Sequence, residues 1–377
     1  MTAFRPLIAL LLASLAFASP GAVHAASPMV FRHLTAEEGL SQNTVMATLQ
    51  DSRGFLWIAT EDGLDRFDGY TIRRFGRSRD DPNGLARNFI WNLQADRRGD
   101  LWMAVKDGGV ARFDVRSEKF TSFRHDPANP RSLSSDAARL VLVDREGTVW
   151  VATTGGGLNA LDPATGRARR YLHDPARGDS LSDNVVTALA QDARGVLWVG
   201  TNRGLNRLEP GTNRFRRYVS DARDSRALAS DQIQTLHVDR AGTLWVGTRD
   251  RGLSRFDGDE QGFTAFLPGD AAAGALSNAD VRAIRDDTDG RLWVGTANGL
   301  HLFDGVTGKF QVYRQDPAEP TTLRDNYIMS LYQDRAGLLW VGTRAGGVSR
   351  WNPRSWAFGH ARPDALGDAY AMSFADA

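Results

Sequence analysis

There is no cysteine in the 377 residues of this chain. That absence excludes disulfides, thiolate metal ligands and cysteine nucleophiles together. An excess of charge is missing too: 46 Lys+Arg stand against 45 Asp+Glu, so bulk electrostatics does not point to nucleic acid. The seven His form no His-x-x-x-His pair or other ligand spacing, and the sequence calls for no metal and no cofactor. Helical periodicity is lacking throughout. Long apolar runs are lacking as well, with one exception at the start. Arg5 precedes the run Leu7 to Phe17 (LIALLLASLAF), and Val23 to Ala26 (VHAA) supplies small residues for cleavage. The run falls short of the roughly 20 residues of a spanning helix. Residues 1–26 are therefore expected to be a secretory signal peptide, leaving a periplasmic mature chain with no membrane span, the alternative being an uncleaved N-terminal anchor.

What the chain has is repetition. Trp57, Trp102, Trp150, Trp198, Trp245, Trp293 and Trp340 recur every 45 to 48 residues. Six residues before each stands an acid: Asp51, Asp96, Asp144, Asp192, Asp239, Asp287 and Asp334. Three residues before each stands Gly54, Gly99, Gly147, Gly195, Gly242, Gly290 or Gly337. A period this constant marks a repeat architecture. Asp-x-x-Gly between apolar runs reads as a tight hairpin turn, the carboxylate accepting backbone N–H groups and the glycine taking a positive φ. Its identical placement in every repeat favours turn capping over metal or acid–base chemistry.

Each Trp lies in a β-rich run such as LWVGT. A Gly-Leu or Gly-Val pair, a third strand such as LSRFD and a fourth such as KFTSF follow. Four strands with both faces apolar cannot stay folded alone. Packed face to face around an axis they bury both faces, which predicts an all-β propeller of about seven four-stranded blades. It should occupy residues 27–377, with a partial eighth repeat at 365–377 and one Trp wedged between each pair of blades. Phe31 to Leu34 has the look of an outer strand able to pair with the last blade and close the ring.

Ser180 to Leu208 (SLSDNVVTALAQDARGVLWVGTNRGLNRL) resembles the two-component regulator propeller repeat, and Phe31 to Val45 (FRHLTAEEGLSQNTV) resembles the usual opening of such sensors. The Asp-x-x-Gly-x-x-Trp spacing departs from the sialidase Asp-box, which has one residue fewer after its Asp. What the resemblance implies is the periplasmic ligand-sensing part of a bacterial receptor. In that family an immunoglobulin-like domain, a membrane helix and an output module follow, either a histidine kinase or a diguanylate cyclase. This sequence contains none of those parts, so no catalytic output is assigned to it. An eighth Trp would fall at 383, past residue 377, so either the chain is truncated from a longer receptor or Ala369 to Asp376 helps close the ring. The expectation is truncation, with any homodimer made through the downstream domains.

Ligands of propellers gather at the funnel shared by the second-to-third strand loops and the inter-blade connections. The variable loop tips bring Lys106, Arg203, Arg249, Arg251 and Arg344 to that rim as a partly basic ring. Trp91, His237 and Tyr332 depart from the aliphatic norm of the inner strands and join the candidate set. The expected partner is a small soluble ligand, an oligosaccharide or other anionic molecule, bound without turnover. Two other classes stay open. An exported propeller enzyme acting on polysaccharide would need, as a glycosidase, two carboxylates about 5–10 Å apart. Glu61, Asp62, Asp107 and Asp250 are available, with no motif that singles out a pair. A lyase would want a Tyr/His/Arg group instead. The third class is a scaffold that binds other proteins.

Overall fold

The structure is a computed structural model and describes residues 29–77 and 84–354. The expected signal peptide at 1–26 and partial eighth repeat at 365–377 lie outside the described residues. Within them the chain forms seven four-stranded antiparallel sheets. Helix is confined to short 3₁₀ turns such as Ala271–Ala273. The first blade runs Val45–Gln50, Leu56–Thr60, Gly63–Phe67 and Ile72–Phe75, each strand paired with the next. The other inner strands are Ile90–Ala95, Ala138–Val143, Val186–Gln191, Ile233–Val238, Val281–Asp286 and Ile328–Gln333. Successive inner strands touch one another, and the last touches the first, so the sheets stand as blades around one axis.

The last blade is completed by the first strand. Ile328–Gln333, Leu339–Thr343 and Val348–Trp351 supply three strands, and Phe31–Leu34 adds the fourth in antiparallel register, Phe31 opposite Trp351 and Leu34 opposite Val348. The Phe31 N–H also donates to the Thr321 carbonyl at 2.7 Å.

Second strands such as Leu197–Thr201 (LWVGT) are buried along their whole length because a neighbouring blade covers each face. Their fourth position must be small. A Cβ built on Gly247 would lie 2.7 Å from Val281 of the next blade, too close for any side chain to stand there. In the turn before, Gly195 holds φ +85°, which glycine adopts freely. The turn acid uses both oxygens. Asp51 Oδ1 accepts the Arg53 and Phe55 N–H groups at 2.9 and 3.0 Å, and Oδ2 accepts the Trp57 indole N–H at 3.0 Å. The same indole bond joins Trp102 to Asp96, Trp150 to Asp144, Trp245 to Asp239, Trp293 to Asp287 and Trp340 to Asp334. The fixed six-residue spacing thus serves a side-chain bond as well as a turn. Each ring then crosses to the next blade, as in Trp57–Phe113 and Trp245–Phe303, with centroids 5.4 Å apart in both pairs.

A buried polar residue on the third strand ties a blade to its entering loop. Asn206 accepts the Ser182 N–H at 2.9 Å, and Asn159 accepts that of Ser134 at 2.9 Å. Asp65 does the same for Ser41 at 2.8 Å, and His301 Nε2 for Ser277 at 3.1 Å.

Candidate ligand site

Every inner strand carries a β-bulge after its first residue. The ladder skips Met46, Trp91, Arg139, Thr187, Gln234, Arg282 and Met329 in turn. A bulge releases one residue from pairing and re-aims its side chain. All seven of these residues line a cavity of about 520 Å³ that follows the axis. Two positions further along, the inner strands return to Thr48, Leu93, Val141, Leu189, Leu236, Ile284 and Leu331, nearly all aliphatic. Chemical variety in the bore is thus high where the bulge occurs, and it returns three positions further on, where Gln94, Arg285 and Tyr332 also line the cavity.

Above the bulge ring lies the rim of loop tips, and three of the five expected cations connect with the bore lining. Lys106 Nζ sits 5.0 Å from the Phe89 ring centre, and Phe89 packs on Trp91 at 4.4 Å. Arg249 donates to Gln234 Oε1 at 3.3 Å. Arg344 and Arg282 flank Tyr327, their guanidinium carbons 5.2 and 4.9 Å from its ring centre. The other two belong elsewhere. Arg203 pairs with Asp183 at 3.4 Å with its side chain 75% exposed, and Arg251 is exposed away from the cavity lining.

Trp91 and Tyr332 line the bore, whereas His237 does not. Tyr332 comes three residues beyond its strand's bulge residue, towards the Asp-x-x-Gly rim, and lies under Arg285 at 5.6 Å. His237 Nε2 instead bonds Asp286 of the following blade at 2.7 Å. Burial would raise the Asp286 carboxyl, but the hydrogen bond and charge of His237, helped by Arg240, outweigh it and hold the group below the usual range. His237 is an inter-blade tie.

Sequence reasoning passed over Arg139 and Arg282. The signal was present: their position reads Met, Trp, Arg, Thr, Gln, Arg and Met round the ring, the same departure from the aliphatic norm that singles out Trp91. Arg282 is balanced by Asp280 at 2.9 Å. Arg139 lies over Trp91, 5.5 Å from its ring centre, and has no ion pair or hydrogen bond among the described residues. Burial, then the charges of Arg249 and Arg282, press its guanidinium towards the neutral form. No group of three or more His, Asp or Glu among the described residues is placed to hold a metal ion.

Five stretches of the chain, residues 39–62, 180–203, 227–250, 275–298 and 322–345, match the family model of the two component regulator propeller. These are two-component regulator propeller repeats. A 55-residue segment is 42% identical to histidine kinase P4 of Formosa agariphila, covering 15% of this chain and 4% of that protein. Among solved structures, the extracellular domain of a hybrid two-component system of B. thetaiotaomicron superposes with a TM-score of 0.75 at 23% identity, over 86% of this chain and 42% of that one. Virginiamycin B lyase of Staphylococcus aureus superposes with a TM-score of 0.63 at 13% identity, over 86% of this chain and 99% of that one. At such identities the structural likenesses show the fold alone. The chain spans less than half of the solved extracellular domain it matches. No helix among its described residues is long and apolar enough to cross a membrane.

Proposed function

We propose that this regulator propeller is the exported, ligand-sensing part of a two-component-type receptor, working in the periplasm, and that its ligand binds at the axial mouth. One observation carries the reading: seven blades repeat their turn, Trp and entering loop, yet differ at the single bulge residue that each gives to the cavity. Structural positions repeat because every blade has the same neighbours, so a varied ring around a cavity points to recognition. The repeat family supports the sensor role. The cations Lys106, Arg249, Arg282 and Arg344 with the rings of Trp91 and Tyr327 suit a small anionic molecule, an acidic oligosaccharide among them. The kinase or cyclase output belongs to other parts of such receptors.

Turnover is the less favoured reading. Asp62 accepts from Asn88 at 2.7 Å and Asp250 from Ser230 at 2.5 Å, and neither these nor Glu61 and Asp107 line the bore. Calorimetric titration of the exported chain with neutral and acidic oligosaccharide pools tests the proposal. Saturable binding with the sugars recovered intact is expected. Shortened or unsaturated products would replace the sensor with an enzyme, and no heat from any pool would remove the oligosaccharide.

A further inference from the structure

Most arginines of this fold that reach across or along a blade do so towards an acid. Arg66 meets Glu118 at 3.2 Å, Arg207 meets Asp259 at 2.9 Å and Arg282 meets Asp280 at 2.9 Å. Arg139 is different, and among the described residues only Arg285 of the bore lining, which lies over Tyr332, likewise meets no acid. Arg139 projects from a bulge into the bore, with the Trp91 ring as its one partner among the described residues. No described carboxylate stands within ion-pair distance of it.

The fold does not require a cation at this place. The neighbouring blades put Trp91 and Thr187 at the same bulge, and others put Met46 and Gln234 there. A guanidinium held partly out of water without a counter-charge is costly, and the cost is commonly recovered when a ligand supplies the charge. Its planar fork of donors matches a two-oxygen acceptor.

We propose that Arg139 is the receptor of an oxyanion subsite inside the bore, binding a carboxylate, sulfate or phosphate group of the ligand below the level of the rim tips. The proposal rests on the axial mouth being the ligand site and adds the chemical group and depth. Arg282 lends long-range attraction while remaining tied to Asp280, and Arg249 does so while bonded to Gln234. The Trp91 ring stands 5.5 Å from the guanidinium carbon, and both residues line the cavity. Arg203 and Arg251 take no part.

The unpaired guanidinium gives a test that needs no knowledge of the natural ligand. The full chain is melted at low ionic strength in chloride, acetate, sulfate or phosphate at matched ionic strength, each at millimolar concentration. Sulfate or phosphate should raise the melting temperature of the parent above the chloride value, and acetate shows whether a carboxylate is enough. The increment should vanish in Arg139→Thr, which copies the neighbouring blade, and shrink in Arg139→Lys, which keeps charge but loses the fork. It should persist in Arg214→Gln, at an exposed position just before the outer strand Phe215–Tyr218. Arg139→Thr in chloride should melt at or above the parent, since it removes an uncompensated charge. An increment that is absent from the parent, or unchanged in Arg139→Thr, overturns the proposal. In titrations, acidic oligosaccharide should bind Arg139→Thr about 10–100-fold more weakly than the parent. Equal binding by both sinks the subsite and spares the sensor. An oxyanion increment with no oligosaccharide bound by either spares the subsite and sinks the oligosaccharide.

Discussion

His301 accepts the Ser277 N–H through Nε2 at 3.1 Å, in the place where Asn206, two blades earlier, accepts that of Ser182 at 2.9 Å. Its Nδ1 faces the Val294 carbonyl at 3.2 Å, so the imidazole serves as a neutral stand-in for an amide. Burial holds its pKa down at about 4, from an ordinary 6.5. Between those values the unfolded chain binds a proton that the native chain refuses. Stability from this group is therefore whole above pH 6.5 and drains away as pH falls to about 4, by at most about 3 kcal/mol. Denaturant midpoints across that window should flatten in His301→Asn. An unchanged pH slope would refute the assignment.

Asp65 holds the same place in the first blade, and its charge is poorly served. Oδ2 accepts from the Ser41 N–H and hydroxyl, both at 2.8 Å, while Oδ1 is buried with no partner. Burial pushes the carboxyl above its usual range, a shift that the Ser41 bonds only partly reverse. A raised carboxyl favours the fold below its ordinary pKa and weakens it as pH rises through the native value. Asp65→Asn should therefore stabilise the protein at neutral pH by about 1–3 kcal/mol, with a smaller gain near pH 4. Thermal melts at pH 4 and 8 give the comparison.

Trp198 is 1% exposed and touches Phe256 of the next blade at 5.1 Å. Truncation to Ala should cost about 3–5 kcal/mol, read as a lowered urea midpoint. Gly195→Val should also destabilise. Space is not the reason, since a Cβ there meets nothing nearer than Gln191 at 3.9 Å; a β-branched residue resists the φ of +85°.

Phe31 is buried against Trp293 and Trp351 at the ring's seam. Phe31→Ala should cost about 3–5 kcal/mol and raise amide exchange in Val348–Trp351 before it does so in the first blade. Uniform loss of protection would show that the seam is no weaker than the other interfaces.

The blades were legible because each repeated residue acts within its own hairpin: Asp51 caps the turn and Gly54 bends it. The indole bond from Trp57 to Asp51 was not, because spacing alone does not reveal a side-chain partner. The bore was harder still. Period-two alternation puts the second and fourth residues of an inner strand on one face, and nothing in Arg139 or Arg282 announces that a bulge redirects the second. His237 looked like a bore residue because its partner, Asp286, comes 49 residues later on the next blade. Among the rim tips, loop position was readable, but the lean of Lys106 on Phe89 and of Arg203 on Asp183 depends on neighbours brought in by folding.

The strand Phe31–Leu34 is among the first parts of the propeller to be synthesised, yet the Ser349 hydroxyl that meets His33 lies 316 residues later. Six blades can zip up locally in the order of translation, while the seventh must wait for both ends of the chain. Closing a loop of that length carries an entropy cost that the local hairpins do not, so circularisation is expected to come late in folding. Until it happens the third strand Val348–Trp351 has a bare edge, and during that interval the protein is most open to strand exchange with another copy.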